Sequence, residues 1–158
     1  MGKLAEGGAM ANVLIADDDH LMRWSLEKLL SREGHAVQSV DSDKAAIGAA
    51  RTGGYRVAII SHMSEVNDFQ TLRCIKTLNP NTHVIVITAS VTPHMERVAR
   101  DVGAFDFFEK PFQFGALKQA VDRAILTPER RRGSRGCCNG CEWEKPCDRW
   151  HPLGVQSA

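Results

Sequence analysis

Three strongly apolar segments, at residues 13–16, 57–60 and 83–90, constrain the fold more than any other feature of the sequence. Their sequences VLIA, VAII and HVIVITAS predict strands that are buried on both faces. Two more strands are predicted, at residues 36–40, where apolar and polar residues alternate, and at residues 104–108. The chain therefore supplies five strands, of which three have no polar face.

Apolar residues at helical spacing follow each predicted strand, so five helices alternate with the five strands over residues 12–126. This pattern predicts an α/β fold, a doubly wound parallel sheet with helices on both sides. In such sheets, ligands bind outside the carboxyl ends of the strands. Functional residues are therefore expected within four short segments, residues 17–19, 61–63, 88–90 and 109–111.

Length and charge set the remaining bounds. A chain of 158 residues fits one domain plus a tail, and a formal net charge of +1 gives no general case for binding nucleic acid. No apolar run approaches the ~18–20 residues that a membrane span requires. Residues 1–10 lack the apolar core of a secretion signal, so we expect a leader or disordered arm and a cytoplasmic location without membrane contact.

Polar residues at the predicted strand ends indicate an anion and metal site. Asp17 and Asp18 are adjacent carboxylates that repel each other, and a hard cation, usually Mg²⁺, offsets that repulsion. The hydroxyl of Thr88 and the ammonium group of Lys110 can both reach an anion placed between them.

Together these residues resemble the receiver domain of two-component response regulators, over about residues 11–126. The resemblance is carried by the segments VLIADDDHLMRWSLEKLL, VIVITAS and GAFDFFEKPF, which occur in the family's order and at its intervals. It implies the flavodoxin-like (βα)5 receiver fold. It also implies a bacterial signalling protein that acts by contact with a kinase or a downstream effector and is not an enzyme.

The resemblance assigns a role to each matching residue. Asp17 and Asp18 match the metal-binding acidic pair, which the backbone carbonyl of Met63 would complete, and Asp19 is expected to cap the next helix. A second group of residues lies farther along the chain. Thr88 matches the switch hydroxyl, Lys110 the phosphate-pairing lysine before a cis-proline at Pro111, and Phe107 the rotating aromatic residue.

Ser61 occupies the position at which the family carries its phosphorylated aspartate. No carboxylate occurs between Asp43 and Glu65, so a shift of one or two residues in the alignment restores no acceptor. A serine hydroxyl is a weak nucleophile without an adjacent base, and the missing carboxylate weakens Mg²⁺ binding. The prediction is a pseudo-receiver with weak or absent Mg²⁺; a receiver phosphorylated on Ser61 is the remaining alternative for this site.

The face formed by the fourth helix, fifth strand and fifth helix usually serves the family for output and dimerisation. Here that face is expected to include Met95, Val98 and Phe107, which makes a homodimer plausible. Cys74, beside Ile75 on a predicted helix, is expected to be a packed small hydrophobe.

Residues 127–158 form a basic, cysteine-rich tail that the receiver family does not explain. Its spacing suggests a zinc site made of four ligands, Cys138, Cys141, Cys147 and His151. Unstructured, redox-active thiols and an iron–sulfur cluster that includes Cys137 are alternatives. Trp143, Trp150 and the arginine run could then contact nucleic acid, with the receiver fold as a scaffold.

Overall fold

The computed structural model describes residues 10–61 and 69–128. Five strands lie in this part of the chain: β1 (Asn12–Ala16), β2 (Ala36–Val40), β3 (Val57–Ser61), β4 (His83–Thr88) and β5 (Asp106–Glu109). They alternate with five helices: α1 (His20–Arg32), α2 (Asp43–Thr52), α3 (Gln70–Leu78), α4 (Pro93–Val102) and α5 (Phe114–Leu126). None of these helices combines the length and apolarity needed to cross a membrane.

All five strands pair in parallel in the order β2-β1-β3-β4-β5, which confirms the predicted α/β fold. The chain leaves β1 towards the β2 edge and returns to place β3 on the other side of β1. The connections therefore diverge between β1 and β3, and such a reversal opens a crevice at the carboxyl ends of the strands. Asp17 follows one of these two strands and Ser61 ends the other.

The sheet separates two hydrophobic cores, as the apolar strands predict. Along β1, Leu14 packs with α2, α3 and α4, while Val13 and Ile15 pack with α1 and α5. Successive strand residues point to opposite faces, so a strand covered on both sides must be apolar throughout. Cys74 is 1% exposed and clusters with Ile47, which confirms its prediction as a packed small hydrophobe.

Helix α1 begins immediately after the acidic segment because Asp19 caps it. The Asp19 carboxylate accepts hydrogen bonds from the amides of Leu21 (2.8 Å) and Met22 (3.3 Å), as the sequence predicted. These amides belong to the first turn, where no intrahelical acceptor exists.

Replacing the Asp19 cap is expected to destabilise the protein modestly. Asp19→Ala should lower the free energy of unfolding by about 1 kcal/mol, because two first-turn amides lose their acceptor. Asp19→Asn is the matched control, since asparagine keeps a side-chain oxygen, and it should cost a few tenths of that value. Urea unfolding monitored by circular dichroism measures both; equal losses would contradict the capping role.

Strand β5 begins two residues later than predicted. Gly103 ends α4 with φ 113°, and its amide and that of Ala104 donate back to carbonyls of the last helical turn. These bonds satisfy the end of the helix and delay the strand. Pairing with β4 starts when the amide of Phe105 donates to the carbonyl of Val84 (2.7 Å).

Helix α4 buries one residue that was expected on the outer face. Met95 is only 6% exposed and belongs to the core with Ala99 and Val102. Met95, Val98, Ala99 and Val102 recur at the spacing of a single helical face, and the sheet covers that face. The prediction that Met95 contributes to an output or dimer surface is therefore wrong; Val98 and Phe107 are half-buried.

Candidate functional site

The carboxyl ends of β1, β3, β4 and β5 bring together the residues that the sequence singled out. Asp17 directly follows β1, Ser61 and Thr88 end β3 and β4, and Lys110 directly follows β5. The amide of Lys110 donates to the carbonyl of Thr88 (2.8 Å), and the Lys110–Pro111 peptide bond is cis, as predicted. The backbone therefore fixes the root of the lysine side chain beside the ends of the neighbouring strands.

Lys110 links the ends of β1 and β3, the two strands between which the connections diverge. Its Nζ donates to Oδ2 of Asp17 (3.0 Å) and to Oγ of Ser61 (3.1 Å). Asp17 is 1% exposed and Ser61 is 5% exposed, so both contacts are shielded from water. A buried carboxylate without a countercharge is costly, and the ammonium group provides that countercharge.

The remaining polar groups of Asp17 have partners within the chain. Its Oδ1 accepts a hydrogen bond from the amide of Asp19 (2.8 Å), and its backbone carbonyl accepts one from Nη1 of Arg23 (2.6 Å). Both carboxylate oxygens of Asp17 are therefore engaged. Arg23 was not predicted as part of the site, because an arginine near the start of an amphipathic helix gives no sequence signal that it reaches back to the strand.

The side chain of Asp18 lies at the edge of the site and is exposed to solvent. Asp18 is exposed, whereas Asp17, the residue before it, is buried. Adjacent residues at a strand end diverge in direction, so the predicted acidic pair consists of one carboxylate in the lysine network and one at the rim.

Thr88 lies at the same edge but contacts different atoms. Its hydroxyl, in a residue that is 4% exposed, donates to the carbonyl of Ser90 (3.0 Å) and accepts a bond from the Ser90 amide (3.4 Å). The structure thus places Thr88 beside the candidate site, with its hydroxyl bonded to the following turn and not to Lys110. This turn is also held by Glu109, whose Oε1 accepts a bond from the amide of Val91 (3.3 Å).

Phe107 is half-buried against the core on the α4 side of the sheet. Its ring meets that of Phe69 edge to face, with centroids 6.3 Å apart and an interplanar angle of 72°. Phe69, at the start of α3, has a positive φ of 48°, which is uncommon for a residue other than glycine. The aromatic pair connects β5 to the chain entering α3.

The donor atoms at this edge fit a hard cation only in part. Within residues 10–61 and 69–128, no group of three or more histidine, cysteine, aspartate or glutamate side chains is arranged to hold a metal ion. Asp17 is already paired with Lys110, and Ser61 offers a neutral oxygen. Met63 lies outside the described residues, as do the four candidate zinc ligands Cys138, Cys141, Cys147 and His151.

Comparison with known proteins assigns the chain to the response regulator receiver domain family. The family model matches residues 13–122, most of the chain, and the protein belongs to this family. Receiver domains are signalling modules of two-component systems, in which they contact kinases and effector domains. The predicted resemblance is confirmed.

Individual relatives agree with this assignment. The DNA-binding transcriptional regulator NtrC of Rhizobium meliloti is 32% identical over 123 residues, which cover 77% of this chain and 25% of that protein. The crystal structure of FixJ-N is 31% identical with a TM-score of 0.64, covering 74% of this chain and 94% of that one. Vibrio cholerae CheY4 supports the fold, at 24% identity and a TM-score of 0.66 over 73% of this chain and 99% of its own. The chain spans about a quarter of the length of the curated relative.

Proposed function

We propose that this protein is a pseudo-receiver, a response-regulator-like signalling protein that works by protein–protein contact without phosphorylation of an aspartate. The observation that carries the proposal is the contact between Lys110 Nζ and Ser61 Oγ at the end of β3. In our alignment with the family, this position corresponds to the phosphorylated aspartate, and the chain carries a neutral hydroxyl there. The lysine already has a charged partner in Asp17.

Within the described residues, no neighbouring group activates Ser61 as a nucleophile. A serine attacks efficiently only when a neighbouring base removes its proton. The partner of Ser61 Oγ among the described residues is an ammonium group, which donates a hydrogen bond and cannot accept the proton. The carboxylate of Asp17 is held by Lys110 and by the amide of Asp19, so each of its oxygens already has a partner.

Magnesium binding is expected to be weak or absent for the same reason. Mg²⁺ sites in proteins typically combine one or two carboxylates with waters and a phosphate. Here one carboxylate is neutralised by Lys110, and the serine adds no charge. The remaining candidate, Asp18, is an exposed carboxylate at the rim.

Transfer from a small phosphodonor tests the proposal. Incubation of the full chain with acetyl phosphate and Mg²⁺ is expected to leave its intact mass unchanged, because no described residue activates Ser61 as a nucleophile. Addition of one phosphoryl group mapped to Ser61 would instead favour the alternative, a receiver phosphorylated on serine.

We further propose that residues 11–126 form the receiver domain, between a leader at residues 1–10 and a tail at residues 127–158. Contact with a kinase or effector is assigned to the receiver domain, and the half-buried Val98 and Phe107 remain candidates for a homodimer face on α4, β5 and α5. The competing function, a metal-binding or redox-sensing protein with nucleic-acid contact, depends on the tail. Deleting residues 129–158 separates the two functions. We expect binding of a kinase or effector to survive the deletion; a loss of nucleic-acid binding or redox behaviour would identify the tail as the functional part.

The tail is expected to bind zinc. Cys138 and Cys141, followed by Cys147 and His151, supply one set of four ligands of the type found in structural zinc sites. Freshly purified protein should contain about one zinc per chain, and Cys147→Ser should lose it, because one thiolate of four is removed. Metal analysis by plasma emission measures this; Cys74→Ser, outside the tail, is the control and should retain the metal.

A further inference from the structure

The outer surface of α1 and the start of α5 expose an apolar patch that no described element covers. Three large side chains on this surface are solvent-exposed, Leu21 by 71%, Trp24 by 54% and Phe114 by 41%. An open groove of about 700 Å³ runs beside them, between Trp24, Phe114 and Arg32. Exposed aromatic residues clustered at a groove mark a surface that binds another segment of protein.

The groove is also positively charged. Lys28 and Arg32 line it, and the described residues that line it include no carboxylate. Nearby acidic residues have other partners: Glu27 accepts a hydrogen bond from Ser39, and Glu33 lies 3.4 Å from Lys118 Nζ. The Lys28 ammonium group lies 5.9 Å from the Trp24 ring centroid, a cation–π contact that leaves its charge available. An occupant should therefore combine an aromatic side chain with carboxylates.

One segment of this chain outside the described residues has that composition. Residues 141–148 read CEWEKPCD, with Trp143 placed between Glu142 and Glu144. The segment contains three acidic residues and a single lysine, in contrast to the arginine-rich residues 129–135. A second copy of the protein is a poorer occupant, because it would bring two basic grooves together.

The segment is also within reach of the groove. Helix α5 has 13 residues and is about 20 Å long, so its end at Leu126 lies about that far from Phe114. The 13 residues between Pro128 and Glu142 can span up to about 43 Å. A tethered segment also has a high effective concentration at a site it can reach, so even weak contacts suffice.

We propose that the acidic, tryptophan-containing segment at residues 142–144 docks in the groove between α1 and α5. Trp143 packs against Trp24 and Phe114. The carboxylates of Glu142 and Glu144 lie beside Lys28 and Arg32.

Hydroxyl-radical footprinting of the unmodified full chain tests the docking. Oxidation of Trp24 and Phe114, read by mass spectrometry, is expected to rise about fivefold in the double variant Glu142→Lys/Glu144→Lys, which opposes the groove's charge. Combining that variant with Lys28→Glu/Arg32→Glu reverses the charges on both surfaces. This fourfold variant should again protect Trp24 and Phe114 from oxidation. Unchanged oxidation in the first variant would overturn the proposal.

Disulfide trapping provides an independent measurement. Ser31→Cys lies in the groove, and Gly48→Cys lies on α2, across the sheet, at a position where an added Cβ meets nothing within 4 Å. With Cys137, Cys138 and Cys147 replaced by serine, oxidation should join Cys141 to the groove thiol at least about fivefold more than to the control thiol. Equal yields at the two positions, or crosslinks mainly between molecules, would contradict docking within one chain.

Discussion

Lys110→Met is expected to lower the free energy of unfolding by about 2–3 kcal/mol, because it leaves the carboxylate of Asp17 buried without a countercharge. Asp17 is 1% exposed, and the lysine ammonium group lies 3.0 Å from its Oδ2. Removing one partner of a fully buried ion pair costs more than the loss expected here. The Lys110 side chain is 24% exposed, so water compensates for part of the loss.

A double-mutant cycle separates this ion pair from the packing of the lysine stem. Asp17→Asn keeps the oxygen that accepts the Asp19 amide and removes the charge, so Asp17→Asn/Lys110→Met should recover most of the stability lost in Lys110→Met. Urea unfolding of the four proteins gives the interaction energy. An interaction energy near zero would show that Lys110 does not stabilise the buried carboxylate.

Under the pseudo-receiver proposal, Ser61→Asp is expected to create a site that binds Mg²⁺ and accepts a phosphoryl group. The new carboxylate would join Asp17 and Asp18 at the carboxyl edge, so Mg²⁺ would gain a ligand and a charge. Mg²⁺ at one hundred times its dissociation constant should stabilise this variant by about 2.7 kcal/mol and leave the natural protein unchanged. The variant should also take up a phosphoryl group, since a carboxylate is already anionic at neutral pH.

Ser61→Asn is the matched control for the acceptor variant. It has nearly the size of aspartate but no charge, so it should neither respond to Mg²⁺ nor accept a phosphoryl group. Thermal unfolding with and without Mg²⁺ compares the three proteins. A response in the asparagine variant equal to that in the aspartate variant would attribute the effect to side-chain size.

The sequence predicted the fold because the two hydrophobic cores require apolar strands. A strand such as β1, with Leu14 in one core and Ile15 in the other, must appear as an uninterrupted apolar run. The ends of those runs then locate the site, since parallel strands have their carboxyl ends at one edge. Asp17, Ser61 and Lys110 were selected in this way, and the structure brings them within hydrogen-bonding distance of one another through Nζ of Lys110.

Details that depend on tertiary packing were harder to predict. Met95 was expected on the surface, although its spacing with Ala99 and Val102 places all three on one helical face. The bond from Arg23 to the Asp17 carbonyl spans six residues and follows no periodic pattern. The hydroxyl of Thr88 could bond either the site or its own turn, and residue type alone does not distinguish these partners.

The pseudo-receiver proposal is tested by the intact mass of the natural full chain after incubation with acetyl phosphate and Mg²⁺, measured beside Ser61→Asp. We expect an unchanged mass for the natural protein, because Ser61 Oγ is bonded to an ammonium group and has no base among its described partners. One added phosphoryl group is expected for the aspartate variant, which shows that the assay detects transfer. A phosphoryl group mapped to Ser61 of the natural protein would show that it is a serine-phosphorylated receiver instead.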